Sequence, residues 1–296
     1  LTPPTSDACP ACLAIRAARW ARKQGCELWK CGGCGAIYAR AEAVEAETAA
    51  LYATYYDRPR TELAPVVEAA LARVVRGAAA FRQTGRWLDM GYGEGSLLAV
   101  AAADGWQCHG TEVGENVLEE GRSRGWTVAR DTADTARFAP GGFDVVTLIE
   151  TLEHVPGPRG FLADAARLLR PGGLLFLTTP NADSLNRRFL GASWSVISPP
   201  EHLTLWTARG LRAAASSLGF RVDRLRTEGL NPVEILARAR PSPGGAPVHR
   251  NEAALALNTA FSRSRWRRAC KAAVNSGLSL LRVGDTLKLW ARRTGE

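Results

Sequence analysis

Residues Trp87-Leu88-Asp89-Met90-Gly91-Tyr92-Gly93-Glu94-Gly95 constrain this 296-residue chain more than any other stretch. An apolar strand runs into an acid, three glycines follow at alternate positions, and Ser96-Leu-Leu-Ala-Val-Ala-Ala opens a helix. Glycine at such a turn reaches backbone conformations that other residues avoid, and it lets a ligand approach the main chain closely. The run therefore predicts the first strand-to-helix turn of a nucleotide-type α/β domain. Its spacing differs from the Gly-x-Gly-x-x-Gly that seats a pyrophosphate at a helix N-terminus. Taken alone, the turn also suits a tight βα connection that binds nothing.

From Arg86 onward short apolar strands alternate with amphipathic helices, the pattern of a mostly parallel sheet covered on both faces. The sequence predicts strands near 86–91, 107–112, 127–130, 143–149, 173–178 and 220–227. Helices are expected near 95–104, 116–124, 159–169 and 207–218, with Pro171-Gly172-Gly173 as a helix stop and turn. Ahead of this body, 41–83 reads as a helical linker or cap broken at Asp57-Arg-Pro59-Arg. Near the end, 283–292 alternates apolar and polar residues as a half-exposed strand does. Between them, 241–281 reads as a basic helical insertion carrying Phe261, Arg263 and Trp266.

The first forty residues hold a second, independent signal. Cys9-Pro-Ala-Cys12 and Cys31-Gly-Gly-Cys34 form two knuckles whose four thiolates can complete a tetrahedral zinc shell, a zinc-ribbon pattern over 1–40. A closed four-cysteine site leaves no open coordination position, so the metal is expected to be structural. Cys26, Cys108 and Cys270 have no evident partners and read as small buried residues.

Composition adds limits. An apolar fraction of 46% supplies a core, no run is long enough for a membrane span, and no apolar leader is visible at the start. Paired cysteines with metal spacing suit a reducing cytoplasm. The net charge of +9 divides into +4 over 1–40, −4 over 41–237 and +9 over 238–296. Basic ends admit a phosphate-bearing partner, or simply solubility.

The glycine turn, Asp89-x-Gly91-x-Gly93-x-Gly95, resembles motif I of the class I S-adenosylmethionine (SAM) methyltransferases. That resemblance implies a Rossmann-like seven-stranded sheet over 84–296, closed by an antiparallel strand at 283–292. It implies SAM held by Asp89, Gly91, Tyr92, Gly93 and Gly95. Glu112, ending the second strand, with Val113 beside it, would take the ribose hydroxyls, as a carboxylate about twenty residues after the glycines can. Asp131 and Thr132 would lie near the adenine, and Ile149 would end the fourth strand beside the cofactor. A tyrosine such as Tyr55 or Tyr56 would fold over the mouth, or pack a helix onto the body.

Methyl transfer to a protonated acceptor also needs a base, for which histidine is suited. His109 falls in a buried strand and His249 in the basic insertion. His154, in Glu150-Thr-Leu-Glu153-His154-Val, and His202, in Pro200-Glu201-His202-Leu, both follow strands at the crevice end of the sheet. Glu-His-Val resembles the ubiquinone-type O-methyltransferases. The N-terminal module with an adjacent Glu-His pair resembles the zinc-ribbon sugar C-methyltransferases. By that likeness His202 is the base and Glu201 orients it, with His154 the alternative. The acceptor expected is a small biosynthetic intermediate, natural-product, sugar-linked or nucleotide-linked. An RNA methyltransferase using the ribbon and basic C-terminal region is the second reading, and a non-catalytic binding scaffold the third.

Overall fold

A computed structural model of the chain describes residues 8–40, 63–130, 138–239 and 265–295. The chain starts with an antiparallel meander, β1 (Ala17–Lys23), β2 (Cys26–Cys31) and β3 (Ile37–Ala39), whose two cysteine knuckles flank its strands. Helix α1 (Pro65–Ala78) begins with proline in its first turn, where the missing N–H has no intrahelical partner to lose.

The body then alternates: β4 (Arg86–Met90), α2 (Ser96–Ala103), β5 (Gln107–Glu112), α3 (Glu115–Ser123), β6 (Thr127–Arg130), β7 (Phe143–Ile149), α4 (Pro158–Leu168) and β8 (Leu169–Pro180). After α5 (Leu185–Leu190) comes a two-residue strand, β9 (Thr204–Leu205), then α6 (Ala208–Ser217), β10 (Phe220–Glu228), α7 (Pro232–Ala239), α8 (Arg265–Leu281) and β11 (Thr286–Arg293). Seven strands form one sheet in the order β10-β11-β8-β7-β4-β5-β6. Strands β8, β7, β4, β5 and β6 run parallel, while β11 is antiparallel to both its neighbours. The sequence-predicted Rossmann-like sheet with an antiparallel closing strand is therefore the observed one.

Strand β7 is central and covered on both faces, so Phe143–Leu148 is buried without the alternation of a half-exposed strand. The chain order reverses between β4 and β7, which opens a crevice at their carboxyl ends.

Three expectations need correction. Pro171-Gly172-Gly173 is not a turn before a strand but a bulge inside β8: Phe143 faces Leu169, whereas Val145 faces Leu174. A Cβ on Gly173 would lie 2.9 Å from the Arg170 carbonyl oxygen, so only glycine admits that backbone approach. Of the three lone cysteines only Cys108 is buried, while Cys26 and Cys270 are partly exposed. Finally, α7 is a helix that the sequence pattern did not indicate. Of the basic insertion, Arg265–Leu281 is helical. Tyr55, Tyr56, Asp131, Thr132 and His249 lie outside the described residues.

The N-terminal module does not pack as a separate body. Strand β3 pairs with β9, with Ile37 opposite Leu205 and Tyr38 opposite Thr204, giving a four-stranded sheet β1-β2-β3-β9. Cys9, Ala11, Cys34, Ala36 and Tyr38 share one buried cluster with Leu148, Leu152, Trp206 and Leu211. Among the described residues, no helix is long and apolar enough to cross a membrane.

Candidate functional site

The glycine turn leaves β4 with Gly91 at φ +74°, Gly93 at +53° and Gly95 at +75°, all in the left-handed region that disfavours other residues. Space requires two of them independently. A Cβ on Gly91 would sit 2.4 Å from Thr151 Cγ2, and one on Gly95 2.5 Å from the Trp126 ring. Asp89 is 2% exposed and its Oδ1 accepts a 2.6 Å hydrogen bond from the Thr147 hydroxyl. Burial, against that bond and with the Glu112 charge nearby, pushes the Asp89 carboxyl up to about 7.

Glu112 ends β5 and turns back over the glycines. Its Oε2 accepts from Gly93 N at 3.0 Å and its Oε1 from Val113 N at 2.8 Å. The two amides fix the plane of the carboxylate at the carboxyl end of β5. Val113 is 40% exposed and Ile149 is half-buried. Tyr92 is placed differently from its glycine neighbours. Its ring fills the space above Gly110 and Gly121, where any Cβ would fall within 2.7 Å of it, and its hydroxyl donates to the Val117 carbonyl. The Tyr92 side chain thus anchors α3 rather than facing the crevice.

The opposite wall is the loop after β7. The Thr151 hydroxyl donates to the Ile149 carbonyl at 3.1 Å and lies 3.4 Å from the Gly91 carbonyl, so this loop and the glycine turn are in contact. Glu150 adopts φ +50°, an uncommon conformation for a residue with a Cβ and one that concentrates at working sites. The residue is exposed at the end of β7, yet desolvation by the surrounding protein pushes its carboxyl up, against hydrogen bonding from Thr178. Glu153 is 1% exposed and accepts from the Thr179 hydroxyl at 2.8 Å. Burial and the adjacent Glu150 charge push its carboxyl well above the usual carboxylate range.

His154 and His202 come together as a pair, with ring centroids 4.6 Å apart and planes at 78°. Each Nδ1 faces a carbonyl oxygen: His154 that of Glu201 at 2.9 Å, His202 that of Val196 at 2.5 Å. A carbonyl only accepts, so both Nδ1 atoms carry the proton and both Nε2 atoms are the acceptor nitrogens of neutral rings. Burial lowers both imidazoles, His154 to about 4 with help from the His202 charge. A Glu153 carboxylate oxygen and a ring nitrogen of each histidine lie within 4.8 Å of one another.

Glu201 meets both rings: its charge acts on His202 and His154 against their burial, its backbone carbonyl faces His154 Nδ1, and its carboxylate accepts from Ser198 Oγ at 3.3 Å. The Glu153 carboxylate also lies beside the pair, 3.9 Å from His154 Nε2, a position its place in the Glu-His-Val motif did not disclose. His109 is structural, packed edge-on against Phe138 and Phe143.

The four N-terminal cysteines converge as their spacing predicted, all Sγ atoms within 4.8 Å. Cys9 and Cys34 sulfurs are 3.7 Å apart, and those of Cys12 and Cys31 are 3.5 Å apart. A tetrahedron with Zn–S bonds of ~2.3 Å has sulfur–sulfur edges of about 3.8 Å, so the donor set fits a zinc ion. Gly33 and Cys34 amides donate to Cys31 Sγ, as a metal-binding knuckle arranges them.

Comparison with known proteins agrees with this geometry. A family model described as a methyltransferase domain matches residues 59–225. A curated ubiquinone biosynthesis O-methyltransferase of Methylococcus capsulatus is 37% identical over 136 residues, which is 44% of this chain and 55% of that protein. The enzyme of the same name from Thiobacillus denitrificans is 38% identical over 105 residues, 33% of this chain and 45% of that one. The chain thus spans about half the length of the curated relatives it matches. A crystal structure of a SAM-dependent methyltransferase from Archaeoglobus fulgidus shares the fold, with a TM-score of 0.52 at 17% identity over 83% of this chain and 99% of that one.

Proposed function

We propose the following from the premise that the chain belongs to the methyltransferase-domain family, the class I SAM-dependent fold: it transfers a methyl group from SAM to a small-molecule acceptor. The observation that carries this reading is the contact of Thr151 with Gly91, which sets a carboxylate-gripped glycine turn beside the loop that bears His154, whose ring pairs with that of His202. SAM, when bound, supplies an electrophilic methyl on a sulfonium. Gly91, Gly93 and Gly95 line the donor cradle, Tyr92 contributes backbone alone, Glu112 takes the ribose hydroxyls, and Val113 and Ile149 give apolar cover. Asp89 shapes the turn from beneath, and the sequence resemblance assigns Asp131 and Thr132, outside the described residues, to the adenine.

On the acceptor side His202 Nε2 takes the proton as the acceptor atom attacks, and His154 lies edge-on to receive part of the new charge. Glu201 orients His154 from its carbonyl. In-line displacement demands alignment above all, and both rings are locked by carbonyls before any acceptor arrives. The named activity of the curated relatives is O-methylation, so an oxygen nucleophile is proposed here. The acceptor itself is taken to be a biosynthetic intermediate, natural-product, sugar-linked or nucleotide-linked. Zinc at Cys9, Cys12, Cys31 and Cys34 is taken to be structural, and four reduced cysteines suited to metal support a cytoplasmic location.

The experiment is calorimetric titration with S-adenosylhomocysteine, the demethylated cofactor, followed by turnover of acceptors that copurify with the protein. Binding of the demethylated cofactor with no methyl transfer to any copurified hydroxyl compound would overturn the enzymatic reading. Nickel(II), which would occupy the imidazole lone pairs, is expected to inhibit turnover. Activation by that ion would overturn the role of His202 as base.

A further inference from the structure

Segment 203–205 is gripped on both edges. On one side the Leu203 and Thr204 amides donate to the Glu153 carbonyl at 2.7 and 3.1 Å, tying it to the loop that bears His154. On the other the Ala39 amide donates to the Leu203 carbonyl at 2.9 Å, and β3 pairs along Thr204 and Leu205. Strand β3 follows directly from the second knuckle, where the Cys31 amide donates to the Ala36 carbonyl. Thr207, 1% exposed, closes the circuit: its hydroxyl donates to the Cys34 carbonyl at 2.7 Å and accepts from the Gly210 amide at 3.0 Å, capping α6. A Cβ on Gly210 would lie 3.3 Å from Cys34 Sγ, so the helix start rests on the knuckle itself.

By contrast, the glycine turn is held from within the sheet: Glu112 accepts from the Gly93 and Val113 amides and Asp89 from the Thr147 hydroxyl, while the cysteine module meets β4 through the apolar cluster that includes Leu88 and Met90. We propose that the second cysteine knuckle, acting through the β3–β9 pairing and through Thr207 as a positioning residue, sets the place of His202, so that metal loading of the module governs the acceptor wall and leaves the donor wall standing. This rests on the functional reading above for the role of His202. Its structural core, the coupling of knuckle to histidine loop, is tested separately from that role.

The test is hydrogen exchange on the full chain, zinc-loaded and after zinc removal by a chelator, with diethyl pyrocarbonate reactivity of His154 and His202 followed in parallel. Zinc removal is expected to lower protection of the Leu203–Leu205 amides by roughly 10- to 100-fold, as for a segment released into local opening. Both histidines should react faster, Leu88 and Thr111 amides in β4 and β5 should keep their protection, and added zinc should restore the first state. Retained protection at 203–205 while β1–β3 lose theirs would overturn the proposal, and so would loss at β4 and β5 in step with 203–205. Thr207→Val, checked for full zinc content, should loosen 203–205 in the same way, and Thr207→Ser should rescue it. A zinc-loaded Val variant with native exchange removes Thr207 from the path. Failure of the zinc-loaded protein to bind S-adenosylhomocysteine would strike the functional reading, and the exchange result would still decide the coupling.

Discussion

On the glycine-turn side of the crevice, the groups that shape the wall lie in one strand-helix-strand unit, from Asp89 to Val113, with Thr147 and Thr151 bracing them from β7 and its loop. On the histidine side they come from Cys34, Ala39, Glu153, Val196, Glu201 and Thr207, scattered along the chain. The first wall is held by backbone amides on a carboxylate, the second by backbone carbonyls on imidazoles. A wall assembled mainly from one contiguous unit depends on few distant segments, here β7 and the loop after it. A wall assembled from distant segments can be re-aimed by changing any of them, which suits a surface that must fit one acceptor among many.

The sharpest way to separate the walls is His202→Ala. Turnover should fall on the order of 10²- to 10⁴-fold, the range of general-base contributions, while calorimetric affinity for S-adenosylhomocysteine stays unchanged. A parallel loss of cofactor affinity would break the distinction.

Next in size, the walls should respond oppositely to pH. Asp89, with a carboxyl at about 7 in the fold against an ordinary 3.8, favours the protonated form. Its contribution is complete below the ordinary value and is lost as pH rises through about 7. His154, at about 4 against 6.5, contributes fully above the ordinary value, and that contribution is lost as pH falls toward 4. Each is a matter of a few kcal/mol at most by linkage. Melting temperature against pH is the measurement. Asp89→Asn should gain on the parent protein above pH 7, and His154→Gln should gain on it below about pH 5. Parallel curves for either variant would contradict the burial that sets its shift.

Glu112→Ala should weaken S-adenosylhomocysteine binding by roughly 10- to 100-fold, the worth of about 1.5–3 kcal/mol for hydrogen bonds to a charged group. Hydrogen exchange at 203–205 should not move. Smallest is the contact between the walls. Gly91→Ala drives a methyl against Thr151 Cγ2 in a backbone region that resists it, at a cost of about 1–3 kcal/mol. Thr151→Ser removes that carbon and should recover part of the loss in urea unfolding, about 0.5 kcal/mol or more of coupling. Strict additivity would mean that the loops do not touch.

Legibility in the sequence followed the same division. Asp89, the three glycines and Glu112 could be read because each is fixed by spacing within one strand-turn-helix-strand unit, and the four cysteines because two short knuckles carry their own geometry. Short-range patterns also placed β7 and its exposed end. The pairing of β3 with β9 left no trace, since a two-residue strand has no period to detect. Adjacency suggested Glu201 as the partner of His202, and its charge does act there, but adjacency could not show that its carbonyl faces His154 or that Glu153 also lies beside the pair. Tyr92 sits between two cradle glycines, yet the space vacated by Gly110 and Gly121 drew its ring inward. Only three-dimensional packing records that.

The β3–β9 pairing also bears on how the protein is made. Strand β3 is synthesised about 170 residues ahead of its partner, so at ~5–20 residues per second it waits on the order of ten to thirty seconds with an open edge. Such an edge is a template for wrong partners. During that interval the two knuckles, complete once Cys34 has emerged, are what can hold the meander in shape. On the proposal that the knuckles hold zinc, a cell short of that metal would meet this protein first as a nascent chain prone to aggregate.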